Sequence, residues 1–272
     1  MFLIFLSSFE YLLNPVSSFS ISRGNAVSGI FNESFQLFVN PSGMGSDFEF
    51  SYQRYICSTD LISLSKGFRF QSGNIGAGII FMNGGEMVRR DTTGESLGVF
   101  YDLSSATYFG IKRDFNKVSI GFSTFFPYEK VYEYSTYGAG LNLGVIYRIN
   151  KNLSSGISVR NIGYILKPLI NEKYWFKGEI RTGLSYTDEN KYIGLDIMYP
   201  FSFSAGFNLK LLNNLSLNFG YNRKSDFNTG TGEDMLNGLI FGLNVKKGSF
   251  LINYNIIFSG IFGIRHSFGL KI

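Results

Sequence analysis

A chain of 272 residues with 17% aromatics, 32 glycines and only 17% charged residues is too apolar to be disordered and too poor in charge for a coiled coil. A mean hydropathy of +0.06, with no run near 18 apolar residues, excludes a bundle of membrane helices; one His and one Cys exclude an internal disulfide framework and a Cys/His zinc site. The net charge of +5 comes from basic residues scattered singly or in pairs such as Arg89-Arg90 and Lys246-Lys247, so the chain lacks the basic stripe that nucleic acid requires.

Residues 1–20, MFLIFLSSFEYLLNPVSSFS, read as a secretory signal peptide: two apolar stretches are followed by the small residues Ser17 and Ser18. No Lys or Arg precedes the apolar stretch and Glu10 interrupts it, so a structural N-terminal segment is the alternative.

From about Phe48 onward the regularity is a period of two. Val118, Ile120, Phe122 and Phe126 alternate with Ser119, Gly121 and Ser123. The same rhythm runs through Leu141-Leu143-Val145, Ile193-Leu195-Ile197, Leu215-Leu217-Phe219 and Leu239-Phe241-Leu243. Fourteen such segments are expected, each about nine to eleven residues, the length a tilted strand needs to cross a bilayer. Tight polar turns such as Asn150-Lys151-Asn152 and Asn213-Asn214 alternate with longer connections at 83–97, 127–137, 163–177, 223–236 and 258–263. One rim therefore carries hairpins, the other carries loops, and an even strand count places both chain ends at the hairpin rim. The expected fold class is all-β: a transmembrane antiparallel barrel of about 14 strands, to which the family resemblance given below adds a short N-terminal plug.

The second face of each segment is Gly, Ser and Asn with single charges, which suits a narrow lumen better than the exposed face of a soluble sandwich. Arg148, Arg160, Arg181, Asp196, Lys210 and Lys246 are the expected lumen-lining charges. Acyl chains solvate the large apolar face, and closure removes unpaired strand edges. Tyr52, Tyr55, Tyr147, Tyr186, Tyr192, Tyr199 and Tyr221 sit at strand ends, where an interfacial girdle and ordinary β-propensity both account for them.

Between the leader and the first strand lies SRGNAVSGIFNESFQLFVNPSGMG, with Arg23, Ala26, Gly29 and then Asn40-Pro41-Ser42-Gly43. This resembles the N-terminal segment of the PorV/PorQ-like outer-membrane proteins, relatives of the FadL fatty-acid channel. Strand phrases such as Gly140 to Arg148 followed by Asn161-Ile162-Gly163, and the closing Arg265 to Leu270, are similar to the same family. The linker between Gly29 and Asn40 is shorter than the family pattern and lacks its paired aspartates, and Ile272 stands where such barrels usually end in an aromatic. The resemblance implies a hatch over residues 21–46, with Arg23, Asn40, Pro41 and Gly43 as its motif, and a barrel over residues 47–272. Pro41 fixes φ, bars Asn40 from the helical region, and Gly43 permits a tight reversal, which either folds the segment into the barrel or merely leads into the first strand.

Catalytic, cofactor and metal sites are expected to be none. The only imidazole, His266, and its neighbour Ser267 point to opposite faces of one strand, and Gly230-Thr231-Gly232-Glu233-Asp234 does not match a calcium loop. By resemblance, the expected function is a channel in the outer membrane of a Gram-negative-type bacterium, passing small hydrophobic molecules. The alternative is a PorV-like component of type IX secretion that binds cargo or secretion-system proteins. The expected partners are the lipid bilayer and a small hydrophobic ligand in the lumen, with no nucleic acid.

Overall fold

The computed structural model describes residues 9–55, 59–168, 174–200, 202–224, 236–260 and 263–272. The opening stretch 1–6, Cys57 and the sequence Gly230 to Asp234 lie outside these residues. The strands are β1 (Phe48–Arg54), β2 (Asp60–Phe70), β3 (Gly73–Arg90), β4 (Ser96–Phe115), β5 (Val118–Val131), β6 (Tyr134–Arg148) and β7 (Leu153–Lys167). They continue as β8 (Glu179–Thr187), β9 (Lys191–Tyr199), β10 (Ser202–Leu212), β11 (Leu215–Lys224), β12 (Leu239–Lys247), β13 (Phe250–Phe258) and β14 (Ile264–Lys271). Each pairs antiparallel with its sequence neighbours, and β1 pairs with β14, so the sheet closes into a barrel of fourteen strands with no edge along its wall.

The period of two fixes which side each residue faces. Ile120, Phe122, Leu143 and Phe219 are exposed on the outside, whereas Asn142, Arg160, Asp196 and Asn218 are buried on the inside. Outward Phe, Ile, Leu and Tyr cover the wall from β2 to β14, far more contiguous apolar surface than a soluble monomer carries. Acyl chains covering such a side chain contribute about 1.5–3 kcal/mol each. The chain is a transmembrane β-barrel.

Strand lengths correct the sequence reading on one side. β8, β9, β12 and β13 have 9 residues each, but β3 and β4 have 18 and 20, and β5 to β7 have 14 or 15. The expected loops at 83–97 and 127–137 are hairpin extensions instead: Glu86 pairs with Tyr101, Val88 with Val99, and Val131 with Tyr134. Polar residues there mark the end of the bilayer, not the end of pairing, because backbone hydrogen bonds continue in water. The register of β3 and β4 shifts between Asn83 and Glu86, where Gly85 takes φ +85°, a conformation costly for a side chain.

Inside the wall lie residues 9–46. They form a 3-10 turn at Glu10–Leu13, the short helices α1 (Ser18–Ile21) and α2 (Gln36–Val39), and a second 3-10 turn at Pro41–Gly43. The Ser17 hydroxyl starts α1 by accepting from the N–H groups of Phe19 and Ser20. The apolar core of the molecule is built here, with Phe19, Phe35, Leu37, Phe38 and Met44 at 0–1% exposure against Leu61, Ile80, Tyr108 and Phe125 of the strands.

Candidate functional site inside the barrel

Glycines on the inner face are where the N-terminal segment touches the wall. A Cβ on Gly121 would meet Pro41 C at 2.1 Å, one on Gly144 would overlap the Asn40 side chain, and one on Gly156 or Gly206 would strike the backbone of Ser28 or Arg23. At these positions the inner face is small because another chain segment lies against it.

Of the expected motif residues, Asn40, Pro41 and Gly43 form one compact staple. The Asn40 Oδ1 accepts from the Ser42 hydroxyl at 2.6 Å, capping the turn that Pro41 begins, and its Nδ2 donates to Ser28 O at 2.7 Å. The Gly43 carbonyl accepts from the Glu33 N–H, and a side chain at Gly43 would collide with Ile30 O at 2.1 Å. Arg23 lies apart from these, at the charged cluster described below.

Of the expected lumen charges, Arg160, Arg181 and Asp196 are buried and hold the segment by its backbone. Arg160 donates to Phe38 O at 3.1 Å, to Leu12 O at 2.9 Å and to Glu179 at 3.0 Å. Arg181 donates to Asn25 O at 3.0 Å and lies 3.3 Å from Glu179 and 3.8 Å from Asp196. Asp196 accepts from the N–H groups of Val27 and Ser28. Such charges are tolerable out of water only because they are both paired and hydrogen-bonded. Arg148 stands at the tight-turn mouth over the Phe31 ring, 4.4 Å away, while Lys210 and Lys246 face the same mouth, the first half-buried and the second exposed.

Arg23 and Glu33 pair with each other, at 3.1 Å, and not with the lumen charges Asp196 or Arg160. The reason is distance along the lumen: both lie at the tight-turn rim, where Lys271 of β14 reaches Glu33 and lies 3.8 Å from Asp47. Burial opposes charge on Glu33, but Lys271 and Arg23 together hold its carboxyl below the usual range. Asp47 moves the other way, raised by burial and by neighbouring Glu33. Oxygens of Glu33, Asp47 and Glu49 lie within 4.8 Å of one another, yet Lys271 and Arg23 already supply the cationic partners.

Toward the long-strand rim the lumen becomes aromatic. Phe38 packs edge-on against Tyr108 at 4.9 Å, Tyr108 stacks on Phe125 at 5.2 Å, and Phe125 meets Phe176 at 5.6 Å. Phe9 lies edge-on to Phe176 at 5.5 Å, the Phe9 N–H donates to Glu129 at 3.1 Å, and the Tyr11 hydroxyl donates to Ser105 O at 2.5 Å. Sequence reasoning missed this cluster. Its signal was available: Tyr108 and Phe125 are large residues on faces otherwise occupied by Ser104, Ala106 and Gly110, and by Ser119, Gly121 and Ser123. Lys271, the rim anchor, left no comparable mark.

The remaining sequence candidates separate. His266 is exposed on the outer face beside Tyr254, whose hydroxyl lies 2.7 Å from its Nδ1, while Ser267 is buried inside. Tyr192 and Tyr55 leave the expected girdle and turn inward. The Tyr192 hydroxyl reaches Ala26 O, and Tyr55 packs beneath Arg265. At both positions the strand phase, not residue type, decides the face.

No family model matches the chain, and no curated protein sequence does. Solved structures do match in fold. The Pseudomonas putida toluene transporter TodX superimposes with a TM-score of 0.68 over 94% of this chain and 95% of its own, at 12% identity. The Ralstonia pickettii toluene transporter TbuX gives 0.65 over 94% and 96% at 10% identity. A Pseudomonas aeruginosa FadL homologue gives 0.57 over 95% and 98% at 7% identity. At such identities the likeness shows a shared barrel fold, and its FadL side matches the resemblance read from the sequence. These neighbours lend nothing to the PorV/PorQ side.

Proposed function

We propose that the chain is an outer-membrane channel for small hydrophobic molecules, with residues 9–46 serving as the hatch that closes its lumen. The observation that carries this reading is the aromatic cluster of Phe38, Tyr108, Phe125 and Phe176, placed inside the barrel and directly against the segment that fills it. Rings of this kind bind a flat apolar solute by surface burial and edge-on contacts, with few polar groups to desolvate. The fold shared with hydrocarbon channels adds support by analogy alone.

In this reading the wall contacts serve as latches. Arg160, Arg181 and Asp196 grip backbone atoms, so a path opens when the segment shifts and those groups rehydrate. The test is initial uptake of radiolabelled toluene by Gram-negative cells that express the chain, against cells carrying an empty vector. Uptake several-fold above the vector control, reduced by Tyr108→Lys, supports the channel. Uptake equal to the vector, with folded barrel present in the outer membrane, overturns it.

A further inference from the structure

On the outer face of β5, β6 and β7, near the long-strand rim, two tiers of side chains stand one above the other. The lower tier is aromatic and apolar: Tyr128 pairs with Tyr137, and Tyr164 bridges to Trp175, whose rings meet at 5.6 Å. Trp175 is 74% exposed, and the backbone explains why: Phe176 hydrogen-bonds to Gly163 and turns its ring inward, which sends Trp175 out. The upper tier is cationic. Lys130 pairs across the strands with Ser135, and Lys167, whose backbone stands one step lower opposite Tyr137, extends its ammonium up to donate to the Ser135 hydroxyl at 2.9 Å. Both lysines are exposed, and among the described residues neither has an ion pair. The nearby Glu129 is half-buried and bonds Phe9 inside, and Glu133 lies beyond, in the turn at the hairpin tip.

We propose that this patch binds an anionic phosphorylated lipid headgroup, with Lys130 and Lys167 on the phosphate and Trp175 and Tyr137 against the first carbons of its chains. Two residues along a strand is about 6.6 Å, roughly the step from the top of the hydrocarbon to the headgroup phosphate. The aromatic tier is continuous with the lipid-facing belt, and rings of this amphipathic kind settle at that boundary. Two ammonium groups that have no ion pair among the described residues, held at the level of Ser135, complement a phosphate, and the Ser135 hydroxyl between them can donate a further hydrogen bond to its oxygens. Zwitterionic lipid presents the same apolar chains without the net charge, so the lysines are what discriminate.

Trp175 is the only tryptophan, which makes its fluorescence a reporter of this one place. The full chain is reconstituted in phosphatidylcholine vesicles holding a fixed fraction of either dibrominated phosphatidylglycerol or dibrominated phosphatidylcholine. The expected result is stronger quenching by the glycerol lipid at equal mole fraction, a relative association constant at least about fivefold above one. Lys130→Gln with Lys167→Gln should return the ratio to near one, while Lys151→Gln with Lys247→Gln at the opposite rim leaves it unchanged. Heat-modifiable migration on gels confirms that each variant is folded. Equal quenching by the two lipids, or a preference that survives Lys130→Gln with Lys167→Gln, overturns the proposal. Quenching by neither lipid places Trp175 outside the bilayer and overturns it too, leaving the channel reading to its own uptake assay.

Discussion

Asp196 holds Ser28 twice and its neighbour once: its Oδ2 accepts from the Ser28 N–H at 3.0 Å, from the Ser28 hydroxyl at 2.7 Å, and from the adjoining Val27 N–H at 2.9 Å. A wall carboxylate thus satisfies consecutive backbone donors of a segment that has no strand partner of its own. Buried N–H groups without acceptors are costly, so this contact largely decides where residues 26–28 rest.

Asp196→Ala should therefore free the segment without unmaking the barrel. Two backbone donors lose their acceptor, a cost of about 1–3 kcal/mol each before water enters. Amide hydrogen exchange measured by mass spectrometry should rise at least tenfold across residues 24–30 and stay unchanged in β11 to β13. Asp196→Asn, which keeps one acceptor oxygen, should show a smaller rise.

The wall glycines make a steric prediction. Gly121→Ala drives a methyl into Pro41 at 2.1 Å, whereas at Gly178 the nearest atom is 3.5 Å from a new Cβ. Gly121→Ala should displace the Asn40 to Gly43 staple, lower the thermal midpoint and make residues 21–46 cleavable by trypsin at Arg23. Gly178→Ala should be close to neutral. Equal proteolysis of the two variants would mean the staple does not bear on that wall.

Lipid and lumen faces should respond differently to charge. Leu195→Arg puts a guanidinium among acyl chains and should cost about 2–4 kcal/mol in a folding titration into lipid vesicles. Lys246→Leu, at the exposed tight-turn mouth, should change stability by less than about 1 kcal/mol. Asn142 is a poor control for this comparison, because it is fully buried and bonded to Ser123 and the Asn161 N–H.

The rim carboxylates give stability a maximum in pH. Glu33 is lowered in the folded chain, so its contribution is full above the ordinary carboxylate value, about 4.3, and is lost as pH falls through its lower folded value. Asp47 is raised, so it opposes folding at neutral pH and stops doing so once protonated on the way down. Thermal midpoints should rise slightly on mild acidification and then fall below about pH 4. Asp47→Asn should flatten the upper limb, and Glu33→Gln should remove the part of the acid fall due to this cluster.

Strand existence and facing were legible because they depend on a local rule. Successive side chains point opposite ways, so Leu141-Leu143-Val145 against Asn142 and Gly144 already says strand, lipid and lumen. Strand length was less legible, since Glu86, Arg89 and Arg90 look like loop residues until Tyr101 and Val99 are found opposite them. Even the staple at Asn40-Pro41-Ser42-Gly43 could be read as a turn, because proline and glycine act through their own φ angles.

What lies against the turn was not written in it. The amino-acid order determined a bilayer-crossing closed sheet with a small inner face, through side-chain alternation and turn chemistry that reach only a few residues along the chain. Only the closed barrel decided that Lys271 meets Glu33, that Arg160 reaches both Leu12 and Phe38, and that Tyr108, Phe125 and Phe176 form one cluster. Those contacts join residues up to 238 positions apart, and their geometry follows from strand register and barrel closure, which no local pattern specifies.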